Sequence, residues 1–180
     1  MGNGFFVAAE FAIVKVRDSQ IELKVREGNK LAKLTQNVIL HLDSYLSATQ
    51  LGITLASLGL GWIGESVVTQ IILGVFHLLY IPISANLAHQ IALPTAFGLI
   101  TILHIVFGEL APKSLAIQYS TQTALAVSLP LRLFYIIFKP FIWFLNGFAN
   151  RMIRLMGISP AKGHEVHSPE ELQLLLEQGE

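Results

Sequence analysis

SVVTQIILGVFHLLYIPISANLAHQIALPTAFGLITILHIVFG, residues 66–108, contains no Asp, Glu, Lys or Arg, and it runs straight into Glu109-Leu-Ala-Pro-Lys113. An apolar run of this length is long enough for two crossings of a bilayer at roughly 20 residues each. It ends where a carboxylate meets a proline, and an acid at such a place is costly in lipid and marks a functional site. The rest of the chain agrees with lipid as solvent. Hydrophobic residues make up 53% and charged residues 13%, against about a quarter charged in an ordinary soluble domain. Mean hydropathy is +0.59.

Charge and cysteine usage narrow the function classes. The net charge of zero says nothing about nucleic acid, but the 12 basic residues are spread along the chain and form no patch interleaved with aromatics, so no nucleic-acid partner is expected. The absence of cysteine excludes disulfides and thiolate metal sites. The length suits one membrane domain over residues 1–157, with residues 158–180 as the start of a cytosolic linker helix.

Three apolar stretches are candidate spans. Residues 2–14 are short of a full crossing and read as a trimmed first helix. Residues 46–80 are too long for one straight span, and Gly59, Gly61, Gly64 and Glu65 predict a kink or break. Residues 87–112 form the third, after a polar turn at 81–90. The basic residues follow the first and third stretches, which places them on one side; the positive-inside rule makes that side cytoplasmic, with the C-terminus inside. Residues 18–43 alternate charged and apolar positions at helical spacing and predict a solvated cytosolic helix pair. Residues 129–156 read as an interfacial helix broken by Pro130 and Pro140, with Arg132, Lys139, Arg151 and Arg154 snorkelling to headgroups; a fourth span is the alternative. Gly157 to Pro160 stop that helix, and Ser168-Pro-Glu-Glu171 predicts another helix start. The expected fold is an all-α membrane protein with three transmembrane helices per subunit, a kinked second span, a cytosolic helix pair and an interfacial belt helix.

Polar groups within the spans are few. Gln50, Thr54, Ser57 and Gly61 lie on one helical stripe. For Gln50 and Thr54 ordinary helix packing accounts for the pattern, while Ala48, Gly52 and Ala56 form a small-residue ridge for a neighbouring helix or a second subunit. Pro112 has no N–H and leaves the carbonyl of Gly108 without its helical partner. That carbonyl, the Glu109 carboxylate and Ser57 are hard oxygen donors of the kind Mg²⁺ or Ca²⁺ accepts. The bland reading of Glu109 is a helix-end carboxylate paired with Lys113. His104 reads as a core or headgroup histidine, His77 and His89 as outer-surface residues. For Glu10, an ion pair with Lys15 or Arg17, or a polar contact, is expected before coordination. Gly59-Leu-Gly-Trp-Ile-Gly64 has the glycines of a dinucleotide fingerprint but follows a helical stripe and lacks the acid about 20 positions on. No motif for intramembrane hydrolysis is present, so no enzyme is expected.

Four motifs in order then resemble the transmembrane domain of the CNNM/CorC magnesium transporter family: Asn-Gly-Phe-Phe-Val-Ala-Ala-Glu-Phe-Ala (3–12), Leu-Ser-Ala-Thr-Gln-Leu-Gly-Ile-Thr-Leu (46–55), Gly-Glu-Leu-Ala-Pro-Lys (108–113) and Val-His-Ser-Pro-Glu-Glu-Leu (166–172). The resemblance implies a homodimer in the plasma membrane, with CBS domains that bind nucleotide beyond the tail. It also implies a dehydrated Mg²⁺ held by groups matching Glu109, Gly108 and Ser57 and by the first helix. Relatives often carry serines after the paired phenylalanines; here Val7 and Ala9 stand there, and Asn3 is the side-chain donor nearby. The expected function is Mg²⁺ export, with Na⁺ as the coupling ion the family implies. A membrane-anchored Mg²⁺ sensor and a structural anchor are the alternatives.

Overall fold

The computed structural model describes residues 2–80 and 85–157. The predicted helix start at Ser168, the linker helix and residues 81–84 of the polar turn at 81–90 lie outside the described residues; residues 85–90 of that turn are helical. Among the described residues every regular element is helical. They are α1 (Gly2–Lys15), α2 (Asp18–Arg26), α3 (Lys30–Leu40), α4 (Leu42–Leu78), α5 (Ala85–Leu103), a π-helical segment (His104–Leu110), α6 (Ala111–Gln118) and α7 (Ser120–Leu155). The chain divides into two compact units, one through Ile142 and one from Trp143 onward. The candidate site residues all lie in the first. In the second, α7 ends at Leu155, and Gly157 just beyond it has φ of +78° and donates its N–H to the Arg154 carbonyl, where the helix stop is expected to begin.

Among the described residues three helices are long and apolar enough to cross a membrane: Leu42–Leu78, the continuous stack Asn86–Gln118, and Ser120–Leu155. Two coincide with expected spans. The expected first span, α1, has 14 residues and rises only about 21 Å, short of the ~30 Å of hydrocarbon. The predicted helix pair is found as α2 and α3, with Asn29 capping α3 by accepting from the N–H groups of Leu31 (2.9 Å) and Ala32 (3.2 Å).

Neither α4, where a kink or break is expected, nor α7 is interrupted. α4 runs unbroken through Gly59, Gly61 and Gly64, since glycine keeps its N–H and its helical hydrogen bond; the same continuity removes any dinucleotide-binding loop. α7 begins at Ser120 and carries both Pro130 and Pro140 inside it, so neither proline ends the helix. Proline is tolerated in long apolar helices because neighbouring groups satisfy the freed carbonyl.

Although short, α1 is the packing centre of the first unit. Asn3, Gly4, Val7, Ala9, Ala12 and Ile13 are buried on it, and it lies against α4, α6, the π-helical segment and α3. Ala9 and Ile13 join Val38, Tyr45, Val127 and Leu131 in one apolar cluster; Ala12 joins Val16, Ile21, Ala32, Ala116 and Ala124 in another. The latter is rich in alanine because small side chains let helix backbones approach closely. Between α3 and α7, the buried hydroxyls of Thr35 and Ser128 meet at 2.8 Å.

Gly52 and Ala56 of the α4 ridge pack against α1, while Ala48 clusters with Ile142 of α7. A Cβ on Gly52 would stand 2.4 Å from the Phe6 ring, and a Cβ on Gly2 would lie 3.6 Å from that of Ala56. Gly52→Ala is therefore expected to lower stability by about 1–3 kcal/mol through overpacking, read as a lower melting temperature of the purified protein in detergent.

Candidate functional site

The site forms where α1 crosses the end of the third apolar stretch. In the α register Pro112 would have bonded the carbonyl of Gly108, and in the π register that of Phe107. With no N–H it serves neither. Both carbonyls face α1. The Gly108 oxygen accepts from Asn3 Nδ2 at 3.2 Å. The Phe107 oxygen lies so close to Gly4 that an added Cβ would stand 3.0 Å from it and 2.9 Å from Pro112 Cγ. A helix with any larger residue at position 4 would be held off, and Asn3 would lose its reach to Gly108.

Asn3 is the hub. It is 5% exposed, and its amide is fully used: Nδ2 donates to Gly108 O and, at 3.3 Å, to His104 Nε2, while Oδ1 accepts from Ser57 Oγ at 3.4 Å. His104 Nε2 also stands 3.5 Å from Glu109 Oε1. One ring nitrogen cannot serve both neighbours. It accepts from Asn3 through its lone pair, or donates to Glu109 when it carries a proton. The Glu109 side chain is 52% exposed where that of His104 is 19% exposed, which puts the carboxylate at the mouth and the amide at the back.

All four residues expected from the sequence to ligate a cation, Asn3, Ser57, Gly108 and Glu109, thus fall in one connected polar cluster. The bland alternative for Glu109 fails. Lys113 does not pair with it but lies over the Phe11 ring, 4.6 Å from the centroid. Gln50 and Thr54 stay outside the cluster: both are exposed, and the Thr54 hydroxyl donates to the Gln50 carbonyl of its own helix at 2.9 Å. Glu10 is half-buried on α1, and among the described residues it forms no ion pair with Lys15 or Arg17. His77 and His89 are exposed, as expected.

His104 is the member that periodicity hides. Five positions before Glu109, it falls on another face of an α-helix, but the i to i+5 register of a π turn brings the two together. The sequence signal for that register is Pro112 just after an apolar run.

Beside Ser57 and His104, a cavity of about 240 Å³ opens between α4 and α5, lined also by Gly61, Phe97 and Thr101. At about 30 Å³ per water, six waters around a cation need roughly 180 Å³. Among the described residues no three His, Cys, Asp or Glu side chains cluster as metal ligands. A cation here would be held by mixed oxygens: one carboxylate, a main-chain carbonyl, an amide and a hydroxyl. Such a set is hard and weakly charged, suited to Mg²⁺ or Ca²⁺ and unsuited to softer metals.

The family model of the Cyclin M transmembrane N-terminal domain matches residues 1–180. The chain belongs to the CNNM family. UPF0053 protein YhdT of Bacillus subtilis (strain 168) is 50% identical over 97% of this chain and 38% of its own length. UPF0053 protein YrkA of the same organism is 49% identical over 97% of this chain and 40% of its own. The uncharacterized protein Rv1841c of Mycobacterium tuberculosis (strain ATCC 25618 / H37Rv) is 32% identical over 88% and 44%. This CNNM chain therefore spans less than half the length of these curated relatives. With its long apolar helices, it is a multi-pass membrane protein of the CNNM/CorC type.

Proposed function

We propose that this CNNM domain transports Mg²⁺ across the plasma membrane, as an exporter, through a site built on Glu109, the Gly108 carbonyl, Asn3 and Ser57. The observation that carries this reading is the Asn3 amide, which bridges Ser57 to the Gly108 carbonyl, left without its helical donor by Pro112, in a buried position. The Asn3 NH₂ donates to the Gly108 oxygen. Turning the amide over presents Oδ1 instead, and Gly108 O, Asn3 Oδ1, Ser57 Oγ and a Glu109 oxygen then supply four hard donors. Mg²⁺ demands near-octahedral coordination and gives up water reluctantly, so the remaining positions are filled by water from the adjoining cavity.

The hydrated ion enters that cavity, loses part of its shell at the mouth where Glu109 supplies charge, and is taken over by the neutral oxygens behind. His104 acts as a positioning residue, holding either the Asn3 amide or the Glu109 carboxylate. In the same reading α7 lies as a belt in the interface, the C-terminus is cytoplasmic, the domain works as a homodimer, and nucleotide acts through CBS domains of the whole protein. Na⁺ is the proposed driving ion.

The test is flux. Purified protein in liposomes should carry Mg²⁺, followed with an entrapped Mg²⁺ indicator, well above protein-free vesicles. Saturable Mg²⁺ binding with no flux would replace this reading with that of a sensor acting on another transporter.

A further inference from the structure

We propose that the groove between α3 and α7 is a binding site for the phosphate headgroup of an anionic lipid. Lys30 and Lys33 of α3 and Arg132 of α7 converge on a cavity of about 420 Å³, and no acidic residue lines it. The chain as a whole is neutral, so three cations around one hollow are a local excess. The amides of Gln36 and Asn37 border the same hollow and add donors suited to phosphate oxygens.

The start of α3 carries a second, independent sign. Its first turn holds Lys30 and Lys33 and no acid. Cations at this end oppose the helix macrodipole, whose positive pole lies at the N-terminus. The Asn29 cap satisfies the N–H groups of Leu31 and Ala32 but leaves the charge uncompensated. A bound anion removes this conflict, and Arg132 from the facing helix supplies the third charge.

Lipid is favoured over a free anion by what surrounds the cations. Leu34 and Leu40 line the same groove, and Leu40 is 61% exposed. Leu129, Leu133 and Ile136 flank Arg132 along α7, and each is more than half exposed. A phosphate in the groove would thus have its acyl chains beside an apolar helix face, the arrangement in which basic side chains snorkel at a membrane surface.

The protein is placed in phosphatidylcholine nanodiscs with and without phosphatidylglycerol, and lipid retention is read by native mass spectrometry alongside the melting temperature. Wild type should retain phosphatidylglycerol selectively and melt higher with it. The triple variant Lys30→Gln, Lys33→Gln, Arg132→Gln should bind it more weakly by roughly tenfold to a hundredfold. Arg17→Gln, Lys24→Gln, Arg26→Gln removes the same charge from elsewhere on the basic side and should keep the preference. Equal loss in both triple variants, or no loss in the groove variant, overturns the proposal. Protection by soluble glycerol phosphate equal to that by phosphatidylglycerol also overturns it, leaving a small-anion site. If the groove variant fails to fold, by circular dichroism in phosphatidylcholine, Arg132→Gln alone decides: a several-fold weaker retention is expected, and unchanged retention overturns the assignment.

Discussion

Glu109→Gln is expected to reduce Mg²⁺ flux, and Mg²⁺-dependent stabilisation with it, by at least about 10–100-fold, since loss of even an outer partner of a metal ligand has an effect of that size. The substitution keeps the shape of the side chain and one carbonyl oxygen while removing the only full negative charge of the cluster. The fold should be little affected. The carboxylate is half-exposed and its contact to His104 is long, at 3.5 Å, and exposed pairs contribute about 0–1 kcal/mol. The melting temperature without Mg²⁺ should therefore stay near that of wild type, while the rise on adding Mg²⁺ disappears. Wild-type flux in this variant would remove Glu109 from the site.

Asn3→Leu should act on both fold and function. The side chain is buried, and a leucine, of like branching but bulkier, offers no partner to the Gly108 carbonyl, the Ser57 hydroxyl or the His104 ring. An unsatisfied buried carbonyl alone is worth about 1–3 kcal/mol, so the melting temperature should fall clearly even without Mg²⁺, and flux should be lost. Ser57→Ala should be much milder for stability, because its 3.4 Å bond to Asn3 is long. Thermal melts of the two variants side by side test the hub: if Ser57→Ala were the more damaging, Asn3 would not be organising the cluster.

Much of the candidate site was legible from residues alone. Pro112 signals a freed carbonyl wherever it occurs in a helix, which pointed to Gly108, and a carboxylate next to it in an apolar run called for a purpose. Asn3 was the weakest assignment, because proximity between residues 3 and 108 is a matter of helix crossing; yet it turned out to be the most connected residue. The place of His104 in the cluster was hidden for a different reason. Periodicity arguments assume 3.6 residues per turn, and the π-helical segment His104–Leu110 departs from that at the place where chemistry is concentrated. The prolines of α7 were read as breaks where the helix continues, and the glycines of α4, read as a kink or break, do not interrupt that helix.

Residues 66–108 and their neighbours determined by themselves that the chain is helical and membrane-embedded, because an unbroken apolar backbone in lipid has no way to satisfy its N–H and C=O groups other than by coiling on itself. Only the tertiary structure decided which polar groups meet. Gly4 and Gly52 let α1 come close enough for one amide to reach Ser57, Gly108 and His104 together, and that closeness depends on backbone approach between helices far apart in sequence, which no local pattern encodes.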